Sequence, residues 1–87
     1  MVQRRKPLVY TKHAGDAVRE RELKREWIEA TVHFPEWEEA DPRQPIQRRY
    51  RTITAHGDRI LRVVCLETDA EIRILTAFFD RGARRQP

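Results

Sequence analysis

Cysteine is nearly absent from this 87-residue chain: Cys65 stands alone, so neither an internal disulfide nor a multi-cysteine zinc site can form. Its setting, Val63-Val64-Cys65-Leu66, reads as a buried small hydrophobe rather than a reactive thiol. Long apolar runs are missing as well. Nothing approaches the ~18 residues of a membrane span, and the basic residues near the N-terminus are not followed by a signal-peptide segment. A soluble, cytoplasmic protein with no membrane partner is the expectation. Glycine is scarce, at three residues, and no Gly-rich phosphate loop, nucleophile elbow or His-x-x-x-His helix is present. His13, His33 and His56 are twenty or more residues apart, with no carboxylates spaced as further ligands. Nucleotide hydrolysis and zinc chemistry are disfavoured, and no metal or cofactor is expected.

What the chain has is charge, 37% of its residues, with a net +4. The excess sits at the ends. Arg4, Arg5 and Lys6 precede the first apolar run and Arg81, Arg84 and Arg85 follow the last; without these six, 12 basic residues face 14 acidic ones. Residues 1–6 and 81–87 therefore read as basic tails on one domain spanning 7–80, a layout suited to adhesion to a polyanion. At this length there is room for one small core, since typical domains run to ~100–150 residues.

Leu8-Val9-Tyr10-Thr11, after Pro7, reads as a short opening strand. Thr11 can cap a helix carrying Ala14, Ala17, Val18 and Arg21 at helical spacing, ending near Glu22. A second helix follows on Leu23, Trp27, Ile28, Thr31 and Val32, and Pro35 stops it. From Pro35 to Pro45, three prolines and four acidic residues predict a connecting loop anchored by Trp37. Beyond Ile46 the period changes. Arg48 to Ala55, Arg59 to Thr68 and Glu71 to Phe79 are three strands of an antiparallel meander, joined by turns at His56-Gly57-Asp58 and Asp69-Ala70. The expected fold is α+β, in the order β-α-α-β-β-β, with two helices packed on one face of an antiparallel sheet and the other face partly open. Homodimerisation is plausible for so small a core.

Tyr10-Thr11-Lys12-His13-Ala14, Arg19 and Arg21 before Trp27-Ile28, the proline after the second helix, Arg48-Arg49-Tyr50, Arg62-Val63-Val64 and Ile74-Leu75-Thr76-Ala77-Phe78 together resemble a small prokaryotic family, domain of unknown function 4258. The resemblance spans roughly residues 8–80. That family is similar in layout to the RelE-like toxins, including the BrnT group, which are small metal-independent endoribonucleases. The resemblance implies a RelE-like fold, RNA as substrate and an acidic antitoxin as protein partner, although a shared fold alone does not transfer activity.

Metal-independent RNA cleavage needs a base for the ribose 2′-hydroxyl, an acid for the leaving 5′-oxygen and fixed cations around the phosphate. His13, at the strand-to-helix junction, is the acid/base candidate, because imidazole titrates nearest neutrality. Arg21, two turns on along the same helix face, and Arg49 and Arg62 in the strands complete the expected catalytic set as phosphate clamps. Arg48, Tyr50, Arg73 and Arg81 are the expected RNA-binding residues, Tyr50 by stacking on a base. Each has a structural alternative. His13 can fix the helix entry by bonding a backbone carbonyl, and Arg21 can pair with Glu71 or Asp80. Arg62 and Arg73, embedded in apolar strands, can pair with Glu67, Glu71 or Asp80. His33 suits a helix C-terminus, and His56 reads as a solvated turn residue. A non-catalytic domain that binds RNA or protein through the same scaffold is the competing expectation.

Overall fold

The structure, a computed structural model, describes residues 6–84. The basic tails expected at 1–6 and 81–87 lie partly outside these residues. Strand β1 (Leu8–Tyr10) leads into helix α1 (Lys12–Glu20) and helix α2 (Arg25–His33), followed by strands β2 (Trp37–Ala40), β3 (Gln47–Ile53), β4 (Arg59–Glu67) and β5 (Ile72–Phe79). The strands form one sheet in the order β1-β5-β4-β3-β2. The α+β class and the β3-β4-β5 meander match expectation.

Two features correct it. Residues 37–40 are a strand rather than loop: β2 pairs antiparallel with β3, Trp37 opposite Tyr50 and Ala40 opposite Gln47. Its Trp-Glu-Glu-Ala sequence alternates half-buried and exposed positions, but four residues between prolines carry too little pattern to announce a strand. The sheet is also mixed rather than purely antiparallel, because β1 runs parallel to β5, with Tyr10 opposite Ile74. The helical hairpin carries the chain from one edge of the sheet to the other, leaving β1 and β2 at opposite edges.

Helix α1 starts where Thr11 Oγ1 accepts the Ala14 N–H at 3.1 Å, one of the otherwise unpaired first-turn donors. It ends in a Schellman turn. Glu22 takes the left-handed conformation at φ 53°, its N–H donates to Arg19 O at 3.2 Å, and the Leu23 N–H reaches Val18 O at 2.9 Å. That turn drops Leu23 into the core and redirects the chain into α2. The core fills the space between the helices and one sheet face: Ala14, Val18, Leu23, Ile28 and Val32 meet Leu61, Val63, Cys65, Ile72, Ile74 and Ala77. Cys65 is fully buried, and burial pushes its thiol up to about 11, against the opposing pull of Arg49. His56 corrects a further expectation. It is half buried, stacked on Phe79 with centroids 4.6 Å apart and 5.2 Å from Trp27, because a 3-10 turn (Thr54–His56) and Gly57 at φ 65° fold its ring back toward α2.

Candidate functional site

Strand alternation sends Gln47, Arg49, Arg51 and Ile53 toward the helices, and Arg48, Tyr50 and Thr52 to the opposite face. Register then builds a row across that opposite face. Trp37 of β2 lies opposite Tyr50 of β3, Tyr50 opposite Arg62 of β4, and Arg62 opposite Phe78 of β5. The four side chains interact in sequence. Trp37 and Tyr50 stack with centroids 4.7 Å apart and planes within 5°, and the Arg62 guanidinium carbon lies 6.0 Å from the Tyr50 ring centre and 5.2 Å from that of Phe78. Arg62 is thus gripped between two rings, an arrangement favoured by the aromatic quadrupole. Its Nη1 pairs with Asp80 Oδ2 at 3.1 Å, while its Nε is buried without a hydrogen-bond partner.

The next row holds Glu39 opposite Arg48. The Tyr50 hydroxyl donates to Glu39 Oε1 at 3.1 Å. Burial raises the Tyr50 phenol above its ordinary value, and Arg62 opposes that rise. Above these rows lies a cleft of about 390 Å3, lined by Glu39, Arg48, Tyr50 and Arg62 from the sheet and by Asp80, Gly82, Ala83 and Arg84 from the segment after β5. Three guanidinium groups and two carboxylates therefore converge on one recess beside a phenol.

Arg48 is held in place from below. Asp41, buried just past β2, accepts Arg48 Nε at 3.0 Å and Arg43 Nε at 2.9 Å, together with the Arg43 backbone N–H at 2.9 Å. The Arg43 hydrogen bonds hold the Asp41 carboxyl well below the usual range, with Arg48 adding to the effect. Glu67 is likewise lowered, by hydrogen bonds from Arg49 and then Lys6. Lowered carboxylates stabilise the fold above the unfolded-state values, about 4 for Asp and Glu, and lose that contribution as pH falls through their folded values. Urea-unfolding midpoints should therefore be level from pH 7 to about 5 and drop below about 4, and Asp41→Asn should flatten that acid limb. An acid limb unchanged in the variant would show that the Arg43-Asp41-Arg48 cluster does not carry it.

The residues expected from the sequence are distributed over the whole molecule. Arg48, Tyr50 and Arg62 meet in the cleft. His13 is an exposed residue in the first turn of α1, and Arg21 is the exposed residue that caps its end. Neither lines the cleft. Glu71 and Asp80, the acids considered for Arg21, are taken by Arg73 at 3.0 Å and by Arg62. Arg73 lies on strand β5 outside the cleft, and Arg81 is exposed on the turn that follows it. Tyr50 is only 3% exposed, with its ring between Trp37 and Arg62, so it offers no free face for stacking a base.

Arg49 is buried on the helix side, one position and one face away from Tyr50. Its Nη1 donates to Val32 O at 3.2 Å and its Nη2 to Gln47 Oε1 at 3.1 Å. It also pairs with Glu67 and, at 3.1 Å, with Glu38. Arg51 donates to Phe34 O at 2.7 Å. The two arginines satisfy carbonyls at the C-terminal end of α2, where cations are favoured. Sequence reasoning missed Glu39, Trp37, Phe78 and Arg84. Only the alternation of Trp37 and Glu39 around Glu38 hinted at a strand that would place the first two on the open face.

Among the described residues, no group of three His, Cys, Asp or Glu side chains is placed to share a metal ion, and no helix is long and apolar enough to cross a membrane. A family model described as a domain of unknown function, DUF4258, matches residues 10–79. The chain belongs to the DUF4258 family. The DUF4258 match takes in the whole row from Trp37 to Phe78, as well as Glu39 and Arg48, and stops one residue before Asp80. The floor of the cleft is thus built on the part of the chain shared with DUF4258, and its lip, Asp80 to Arg84, on residues just past that span. Comparisons with curated proteins and with solved structures each give no match.

Proposed function

We propose that this protein is a metal-independent endoribonuclease, a RelE-like toxin of a prokaryotic toxin-antitoxin pair, acting in the cytoplasm through the open sheet face. The observation that carries this reading is the convergence of Arg48, Arg62 and Arg84 on a cleft that also holds the Glu39 carboxylate and the Tyr50 hydroxyl. Arg62 and Arg84 neutralise the phosphodiester as charge develops on its oxygens, a role suited to the forked guanidinium donor. Glu39, oriented by the Tyr50 hydroxyl, takes the proton of the ribose 2′-hydroxyl, the 2′-oxygen attacks phosphorus, and the 5′-oxygen leaves on the opposite side with a proton from solvent. The products are a 2′,3′-cyclic phosphate and a free 5′-hydroxyl. The acid/base role expected for His13 is filled here by Glu39 as base, because His13 does not line the cleft. An acidic antitoxin fits the same basic surface.

One observation favours the non-catalytic alternative, an RNA- or protein-binding domain: each cleft carboxylate already has a partner, Glu39 in Tyr50 and Asp80 in Arg62. Labelled RNA incubated in chelator with wild type and Glu39→Gln separates the two. The catalytic reading expects cleavage by wild type and a loss of about 10²–10⁴-fold in the variant, with RNA affinity retained. Binding by both proteins with cleavage by neither establishes the binding domain instead.

A further inference from the structure

Both ring-facing sides of the Arg62 guanidinium are taken, by Tyr50 and by Phe78. What remains is the edge, where its N–H groups point, and a phosphate oxygen can reach Arg62 only there. Asp80 holds that edge: Oδ2 accepts from Arg62 Nη1 at 3.1 Å. The same carboxylate builds the turn after β5, because its Oδ1 accepts the Gly82 N–H at 2.9 Å and its backbone O accepts from Ala83 N at 3.3 Å. Gly82, Ala83 and Arg84 then form the wall of the cleft.

We propose that Asp80 is an internal competitor for the phosphate-binding edge of Arg62, so that the segment Asp80–Arg84 closes the cleft until an RNA phosphate displaces the carboxylate. This inference rests on the reading of the cleft as an RNA site. Carboxylate and phosphate oxygens compete for the same donors with the same planar preference. Asp80 and Arg62 are both largely buried, their side chains 19% and 20% exposed, so the contact is less screened than a surface pair. One arm of the carboxylate is spent on the turn and one on Arg62, so a carboxylate driven away from Arg62 by an incoming phosphate takes its contact with the turn along with it. Displacement therefore couples phosphate arrival to movement of Arg84, the cation carried on that turn. No bond is made or broken; one ion pair is exchanged for another.

Asp80→Asn tests this. The amide oxygen can still accept from Gly82 N–H while the charge opposing phosphate is gone. Single-stranded RNA oligonucleotide titrated into the full chain should bind Asp80→Asn about five- to tenfold more tightly than wild type, the equivalent of one partly buried ion pair. In an Arg62→Met background the same substitution should change affinity hardly at all. A second readout does not depend on affinity: the Gly82 amide, followed by NMR hydrogen exchange, should lose protection when RNA is added to wild type. Weaker or unchanged binding by Asp80→Asn, with the variant folded by circular dichroism, overturns the proposal and leaves Asp80 as a positioning residue for Arg62. Absence of RNA binding by wild type, Asp80→Asn and the Arg62 variants alike overturns the reading of the cleft itself.

Discussion

Arg62→Met should lower RNA cleavage by about 10²–10³-fold, the usual consequence of removing one fixed donor from a developing oxyanion, while leaving the protein folded. Methionine is chosen because it fills the slot between Tyr50 and Phe78 and makes favourable sulfur-aromatic contacts of its own, so the row from Trp37 to Phe78 keeps its packing. The loss of two cation-π contacts and of the Asp80 pair, whose carboxylate is 19% exposed, is only partly offset, so the urea midpoint should fall while the variant stays folded. Arg62→Lys should not restore activity, because an ammonium cannot present a planar fork from between two rings. Single-turnover cleavage rates and urea midpoints for wild type, Arg62→Met and Arg62→Lys decide the matter. A variant that stays folded and cleaves at the wild-type rate removes Arg62 from the mechanism.

The meander was legible because three strands of seven to nine residues carry enough alternation to fix their period. The helices were legible because Thr11 and Pro35 punctuate them and their apolar residues recur on one stripe. The edge strands show where such reading ends. β1 has three residues and β2 has four, too few for a pattern; β1 pairs with a strand more than sixty residues on, and β2 with one beyond a loop that holds Pro42 and Pro45. Parallel pairing of β1 with β5 follows from where the helical hairpin delivers the chain, which no local signal encodes.

The site was legible in its residue types more than in its membership. Arg62 and Arg73, embedded in apolar strands, called for partners, and the structure supplies two of the acids considered for them, Asp80 for Arg62 and Glu71 for Arg73, while Glu67 goes to Arg49 instead. Which face each arginine serves depends on register. Arg48 and Arg49 are neighbours in sequence and lie on opposite faces of the sheet, so a motif reading of Arg48-Arg49-Tyr50 joins residues that the strand separates. Glu39 stood in what read as a loop, and without β2 nothing tied it to Tyr50.

The largest stability effect is expected at Arg49, the arginine on the other face. Arg49→Ala leaves Val32 O without its donor and removes the charge that Glu38 and Glu67 share. Breaking a buried pair by removing one partner costs about 3–5 kcal/mol. Glu38 and Glu67 are 45% and 34% exposed and can regain water, which brings the cost below that range, to about 2–3 kcal/mol. For a domain of this size that lowers Tm by about 10–20 °C. The same substitution should leave RNA cleavage near the wild-type rate when measured at a temperature where the variant is folded, because the Arg49 side chain faces α2 rather than the cleft. Arg49→Ala and Arg62→Met thus separate: the first loses the more stability and keeps activity, the second stays folded and loses activity. Calorimetry and cleavage on the pair test the division of the sheet into a structural face and a working face. If Arg49→Ala melts like wild type and loses cleavage, Arg49 returns to the catalytic role its sequence context suggested, and the division fails.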